Sequence, residues 1–391
     1  MTDFNLFTYM QEELRRTPTA FRRYKYKQII WEDRMIGLVG PRGVGKSTMV
    51  KQHILLQPDK EQWLYVSADN SYFYNHSIIE LADEWIKENG KHLIIDEVHK
   101  YKGWSGELKQ IYDTHPDLQI IFTGSSVLDI HQGAADLSRR ALIFDMQGLS
   151  FREFLILSKN IEFPIYSLSD ILSRKVKFPT DFHPLPYFRE YLEQGYYPFS
   201  NQPGYKLRLQ QVMTQTLEVD IPQYAGMNIS TSRKLARLLS ILSASAPYKP
   251  NMGNLTVELN VSKNDLPNYL VYLEKAGLIA QLRDDTGGLR GLGKVEKIFI
   301  DNPNLMYALQ AQNVNQGSLR ETFFYNQMRV NNDVIAAKNT DFKISEYSFE
   351  IGGAKKGQKQ LDGDPNGIVV RDDIEYAHSN IIPLWHFGLN Y

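Results

Sequence analysis

The 391-residue chain has no cysteine, which excludes disulfides and cysteine-ligated metals and fits a reducing cytosol. Nor is one sign of charge in excess: 44 Lys and Arg against 45 Asp and Glu leave a net charge of −1. No global field therefore draws the chain to nucleic acid, and any basic surface must be local. No apolar run approaches the roughly 20 residues of a membrane span. The opening stretch MTDFNLFTYMQEELRR is amphipathic and lacks the uninterrupted apolar centre of a signal peptide. These absences lead us to expect a cytoplasmic protein with no membrane partner. Internal repeats and low-complexity tracts are also missing. With 42% hydrophobic and 23% charged residues, the chain has apolar material enough for two or three globular domains.

The stretch GLVGPRGVGKSTMVK, residues 37–51, carries the spacing Gly40-x-x-x-x-Gly45-Lys46-Ser47 of a phosphate loop. Glycines let consecutive backbone N–H groups curl around the β-phosphate of a nucleoside triphosphate, where a side chain would fill the anion's seat. The expected ATP contacts are Gly40, Pro41, Arg42, Gly43, Val44, Gly45, Lys46, Ser47 and Thr48. Lys46 would reach the β- and γ-phosphates, and the Ser47 hydroxyl would be one Mg²⁺ ligand. Thr48 opens a helix whose N-terminal dipole favours the same anion. The setting agrees, because 35–39 reads as a buried parallel strand and 47–56 as a helix.

Residues 63–67 read as a further strand and 78–88 as a helix leading to the strand 92–97, which ends in two acids at the edge where ligands of open α/β sheets bind. Asp96 is assigned to the Mg²⁺ shell and Glu97 to the attacking water, since phosphoryl transfer needs positioning and charge stabilisation. The strand 118–122 ends in Thr123-Gly124-Ser125-Ser126. Either one of these hydroxyls senses the γ-phosphate or the tip is ordinary turn chemistry. Arg139 and Arg140 follow. Either they include a transition-state arginine, supplied in trans or from a lid, or they are a solvated pair. Ahead of the sheet, the basic cluster Arg22-Arg23-Tyr24-Lys25-Tyr26-Lys27 mixes charges and rings as nucleic-acid surfaces do, but reads better as the solvated face of a packed element.

Through GPRGVGKST, LIIDEVHKY, FTGSS, DLSRRALIFDMQGLSFREFL, YLEQGYYPF and PLWHFGLNY, most of the chain resembles prokaryotic AAA-type ATPases with a phosphate-loop domain, a winged helix and a nuclease-like domain. Only the first two motifs are specific as chemistry. The resemblance implies an α/β fold: an AAA-type P-loop NTPase parallel sheet with a helical lid, a winged helix and a C-terminal α/β nuclease-like domain. It implies a sensor hydroxyl at Ser125 or Ser126 and a loop-closing arginine at Arg140. The expected divisions are a helical lead-in at 1–30, the ATPase core at 31–149, the lid at 150–230, the winged helix at 231–300 and the nuclease-like domain at 301–391. A Pro-rich stretch, 178–186, interrupts the lid.

Within 232–285, Leu235, Leu238, Leu239 and Leu242 share one helical face, 255–259 suits a short helix, and Leu266, Tyr269, Leu270 and Leu273 share a third. A Gly-rich hairpin at 284–294 completes the pattern of a winged helix. Its third helix would turn Lys263, Asn264, Asn268 and Lys275 outward for phosphate or base contacts, while Pro267, Asp265 and Glu274 argue for a protein-packing role. Farther on, 320–330 reads as helix and 342–351 as extended. The nuclease-like resemblance needs an acid on one strand and acid-x-Lys on the next. Asp341 and Glu350 match the acids, but Gly352 stands where the lysine should be, and Lys355 and Lys356 lie beyond it. The expectation is a degenerate fold without cleavage. The reading that results is a Mg²⁺-dependent ATPase that couples nucleotide state to movement of its appended domains. DNA or a protein is the candidate target, and a trans arginine would require a homo-oligomer. The alternatives are an ATP-gated binding module with little turnover and an ATP-regulated nuclease.

Overall fold

The computed structural model describes residues 4–124, 137, 139–222, 227, 229–285, 293–310, 313–353, 361 and 364–391. The chain divides into two compact units, Met1–Gly148 and Leu149–Tyr391.

In the first unit, β1 (Met35–Val39), β2 (Trp63–Ser67), β3 (His92–Asp96), β4 (Gln119–Thr123) and β5 (Leu142–Asp145) form one parallel sheet in the order β2-β3-β4-β1-β5. Every residue of β1 and β2 is buried, as parallel strands covered on both faces must be. Helices α2 (Lys46–Leu55), α3 (Ile78–Lys87) and α4 (Trp104–Thr114) follow β1, β2 and β3 in turn. A capping box between Ser77 and Glu80 starts α3, which buries Ile78, Leu81, Ala82 and Trp85 along one stripe. Sequence pattern gave no expectation of β5: it is a short, partly exposed edge strand of four residues.

Helix α1 (Phe4–Arg15) packs into this unit. Leu6, Met10 and Leu14, spaced by four, are buried, and the Met10 sulfur accepts the Tyr65 N–H on the outer edge of β2 at 3.3 Å. Because β4 lies between β3 and β1, its tip stands between the acidic end of β3 and the phosphate loop that follows β1.

The second unit opens with α5 (Phe151–Phe154), α6 (Leu168–Leu172), α7 (Pro184–Gln194) and α8 (Tyr205–Gln215). Pro184 and Pro186 fall in the first turn of α7, where a missing N–H costs no helical bond, so the Pro-rich stretch ends in a helix start. Next come α9 (Ile229–Ala244), α10 (Met252–Leu259), α11 (Asp265–Lys275), β6 (Ile279–Arg283) and β7 (Val295–Ile300). Strands β6 and β7 are antiparallel, and Tyr248, between α9 and α10, bridges Ile298 of β7. Pro267 is accommodated in the first turn of α11.

Helices α12 (Pro303–Gln310) and α13 (Gln316–Met328) lead to β8 (Val334–Ala336), β9 (Phe342–Ile344), β10 (Tyr347–Gly352), β11 (Gly367–Arg371) and β12 (Ile381–Pro383), a mixed sheet in the order β12-β11-β10-β9-β8. The segment expected as one extended run, 342–351, is instead an antiparallel hairpin that turns at Ser345, whose φ is +53°. The turn uses no glycine, which hides it from sequence. A buried amide ties this unit's helices together. Asn304 accepts the Tyr196 N–H and donates to the carbonyls of Tyr191 and Leu192. Among the described residues, no helix is long and apolar enough to cross a membrane.

Candidate functional site

The loop from Gly40 to Gly45 can form only with glycine at its ends. Gly40 has φ +146°, and a Cβ there would stand 2.1 Å from the Met146 carbonyl oxygen. Gly45 caps α2 at φ +100°. Lys46 begins α2 almost fully buried, with its Nζ donating to the carbonyls of Gly40 and Pro41 at 2.8 Å each. The ammonium is thus folded under the loop at a helix N-terminus, where anions are favoured. Arg23 holds the loop from the other side. Its guanidinium donates to the Val44 carbonyl at 2.5 Å and to those of Gln147 and Gly148 at 2.7 Å each. The basic cluster was expected to be a solvated face, but Arg23 is buried within it, and its planar fork serves three carbonyls that a lysine would not span.

Asp96 is the centre of the site. Ser47 Oγ and Thr123 Oγ1 both donate to its Oδ1, the former at 3.0 Å, and the Tyr65 hydroxyl donates to Oδ2 at 2.6 Å. Glu97 follows in a left-handed conformation at φ +51°, with its N–H donating to Thr123 Oγ1 at 3.2 Å. A non-glycine residue held in that region stores strain, as residues at functional sites often do. Burial pushes the Glu97 carboxyl above the usual carboxylate range, against the opposing pull of Arg42. His99 nearby stays neutral, because burial, then Lys100, Arg42 and Lys46, push its pKa down to about 3.

The structure therefore brings Lys46, Ser47, Asp96 and Glu97 together around one loop. Ser125 and Ser126 lie outside the described residues, so neither sensor assignment can be placed. Arg140 does not face the loop of its own chain. It precedes Leu142, which is registered with Ile36 at the amino edge of the sheet, whereas the loop leaves β1 about 13 Å away at the carboxyl edge. There both Nε and Nη2 lie 2.9 Å from the Asp113 carboxylate. Arg139 is exposed. Sequence reasoning missed Tyr65, Arg23 and the Thr123 contact to Asp96. Only Thr123, a hydroxyl at a strand tip, gave a local signal.

In the second unit Asp341 and Glu350 are joined by two residues not foreseen, Glu321 of α13 and Lys297 of β7. Lys297 Nζ lies 2.9 Å from Glu321 Oε2 and 3.4 Å from Asp341 Oδ1, while Asp341 Oδ2 accepts the Ile351 N–H at 2.9 Å. Glu350 is buried on β10. Burial and the charge of Asp341 push the Glu321 carboxyl up, with Lys297 opposing. Gly352 ends β10 paired with Arg371, and Lys355 and Lys356 lie outside the described residues. Of the residues expected to face outward, Asn268 and Lys275 are exposed on α11 and Lys263 and Asn264 are exposed just before it, but so are Asp265, Val257 (83%) and Val271 (38%).

With this geometry in hand, comparison with known proteins is informative for the first unit. Residues 32–155 match the family described as an AAA domain. The phosphate loop thus lies within the segment that matches an AAA domain. Residues 185–316 match a domain of unknown function, DUF8612. An uncharacterised protein of Methanocaldococcus jannaschii is 24% identical over 310 residues, 70% of this chain, and the chain spans 65% of that relative's length. Among solved structures, the Walker-type ATPase PABY2304 of Pyrococcus abyssi aligns at 16% identity over 76% of this chain and 95% of its own, with a TM-score of 0.44. DnaA from Aquifex aeolicus bound to AMPPCP aligns at 12% identity over 70% and 88%, with a TM-score of 0.28.

Proposed function

We propose that the chain binds Mg²⁺–ATP on its AAA domain and hydrolyses it to ADP and phosphate. The observation that carries this reading is the 3.0 Å contact between Ser47 Oγ and Asp96 Oδ1 beneath the phosphate loop. A hydroxyl that gives its proton to a carboxylate turns its lone pairs elsewhere, and here a cation on the phosphates would meet them. Ser47 and Asp96 would hold Mg²⁺, which when bound offsets the charge of the β- and γ-phosphate oxygens. Lys46 binds those phosphates, the loop N–H groups orient them, and Glu97 accepts a hydrogen bond from the attacking water and aligns it.

Arg140 fits a transition-state role only when supplied to another copy, since in its own chain it stands at the opposite edge of the sheet. For the second unit, the order α9, Tyr248 bridge, α10, α11, β6, β7 supports a winged helix whose outer face is close to neutral. The Lys297 ammonium between Glu321 and Asp341 supports a nuclease-like fold that does not cleave. We assign that unit to partner binding under the control of nucleotide state, with DNA and protein as the two candidate partner classes.

Phosphate release by the full chain, with and without duplex DNA, tests the reading. Wild type should turn over ATP only with Mg²⁺, Lys46→Ala should lose nucleotide binding, and Glu97→Gln should keep binding while turnover falls by about 100-fold or more. Nucleotide affinity unchanged in Lys46→Ala would defeat it.

A further inference from the structure

Asp96 ends the middle one of three adjacent strands, and each neighbour sends it a hydroxyl. From β4, Thr123 comes directly after Phe122, the partner of Ile95, so it stands level with Asp96 and donates to Oδ1. From β2, Tyr65 reaches Oδ2. Tyr65 is registered with Ile94, two residues before Asp96, and so shares its face of the sheet. To touch the carboxylate its side chain must cover a rise of about 6.6 Å. A tyrosine spans that gap, whereas serine or threonine at the same place would fall short. The ring is buried and stacked on Tyr9 of α1, with centroids 6.3 Å apart, and Lys51 Nζ lies 5.6 Å from its centre. Burial and the nearby Asp96 charge raise the phenol far above its ordinary value, so it remains a donor.

The two carboxylate oxygens are therefore not equivalent. Oδ1 faces the hydroxyl at the start of α2, and Oδ2 is tied to a phenol on the far side. The terminal torsion of an aspartate is soft, and contacts to Oδ1 alone would leave the plane of the group free to turn. We infer that Tyr65 is a positioning residue for the metal-binding carboxylate: its hydroxyl pins Asp96 Oδ2 so that Oδ1 stays turned toward Ser47. This rests on the Mg²⁺–ATP reading given above.

The test is a titration of Mn²⁺ into the full chain in the presence of ADP, following the free ion by its paramagnetic resonance. ADP affinity without metal and the melting curve are measured alongside. Tyr65→Phe keeps the ring and removes the hydroxyl, and should weaken Mn²⁺ about tenfold, the scale of one hydrogen bond to a charged group. Metal-free ADP affinity and melting should hold. Placing p-aminophenylalanine at position 65 returns a donor to the same spot and should recover most of the loss. If Tyr65→Phe folds poorly, p-methylphenylalanine, which fills the space without donating, should show the same tenfold weakening. Wild-type Mn²⁺ affinity in either donor-free variant overturns the inference, as does a loss that the amino group fails to recover. A wild-type chain that binds neither ADP nor ADP-linked Mn²⁺ would instead defeat the Mg²⁺–ATP reading, and this inference with it.

Discussion

Asp96 in the first unit and Asp341 in the second are both acids at strand ends with little solvent contact, but their charges are met differently. Asp96 accepts hydrogen bonds from three neutral hydroxyls, those of Ser47, Thr123 and Tyr65. Asp341 shares an ammonium, Lys297, with Glu321. Hydroxyl donors stabilise a carboxylate and leave its net charge in place, so a cation arriving with a nucleotide still meets a full negative charge. An ammonium cancels that charge from within. The first arrangement suits an acid that must receive a metal. The second suits one that holds a fold together, and it gives the missing lysine near Gly352 a physical counterpart: a lysine is present, but it comes from β7 and sits among the acids.

The sharpest way to break this comparison is to remove each charge in turn. Asp96→Asn should abolish Mg²⁺-dependent turnover, by about 100-fold or more, while Asp341→Asn should leave turnover within about twofold. Equal losses in the two variants, measured as phosphate release, would erase the distinction. A smaller effect belongs to the ammonium. Burial works against the charge on Lys297, but Glu321 and Asp341 more than offset it and raise its pKa. Lys297→Met should cost about 2–3 kcal/mol in urea unfolding, because it leaves two acids facing each other out of water. The loss should grow with pH. Glu321 already has a raised pKa, so without its partner the stability present at low pH is lost as pH rises through that pKa. Glu321→Gln combined with Lys297→Met should recover part of it, and no recovery would mean that Lys297 acts by packing alone.

The same contrast explains what could be read from sequence. Gly40 and Gly45 are legible because their φ values admit little else, and Lys46 and Ser47 follow at fixed spacing. Asp96 and Glu97 are legible because they end an apolar strand. Tyr65 was invisible, since its role depends on strand register, which puts it beside Ile94 and within reach of Asp96. Arg23 was misread because its acceptors, Gln147 and Gly148, lie more than a hundred residues away. Glu321, Lys297 and Asp341 come from a helix, a strand and a loop end that no local period links. The helices α9, α10 and α11 did follow from helical spacing, while most of the Gly-rich hairpin expected after them, residues 286–292, lies outside the described residues.

The smallest expected effect concerns Glu97, and it asks whether burial or Arg42 dominates at the first site. Burial raises the Glu97 carboxyl above its ordinary value and Arg42 pulls the other way. A raised folded-state pKa means that the stability this group permits is complete below the unfolded pKa, near 4, and is lost as pH rises through the folded one. Glutamine does not titrate. The Glu97→Gln variant should therefore match wild type near pH 4 and become slightly the more stable of the two by pH 8, even though it has lost turnover. Wild-type turnover should in turn appear as pH rises through that same raised pKa, because only the ionised carboxylate orients water. Paired thermal melts across this range decide the matter. A wild type that gains on Glu97→Gln at high pH would show that Arg42, and not burial, sets the charge of Glu97.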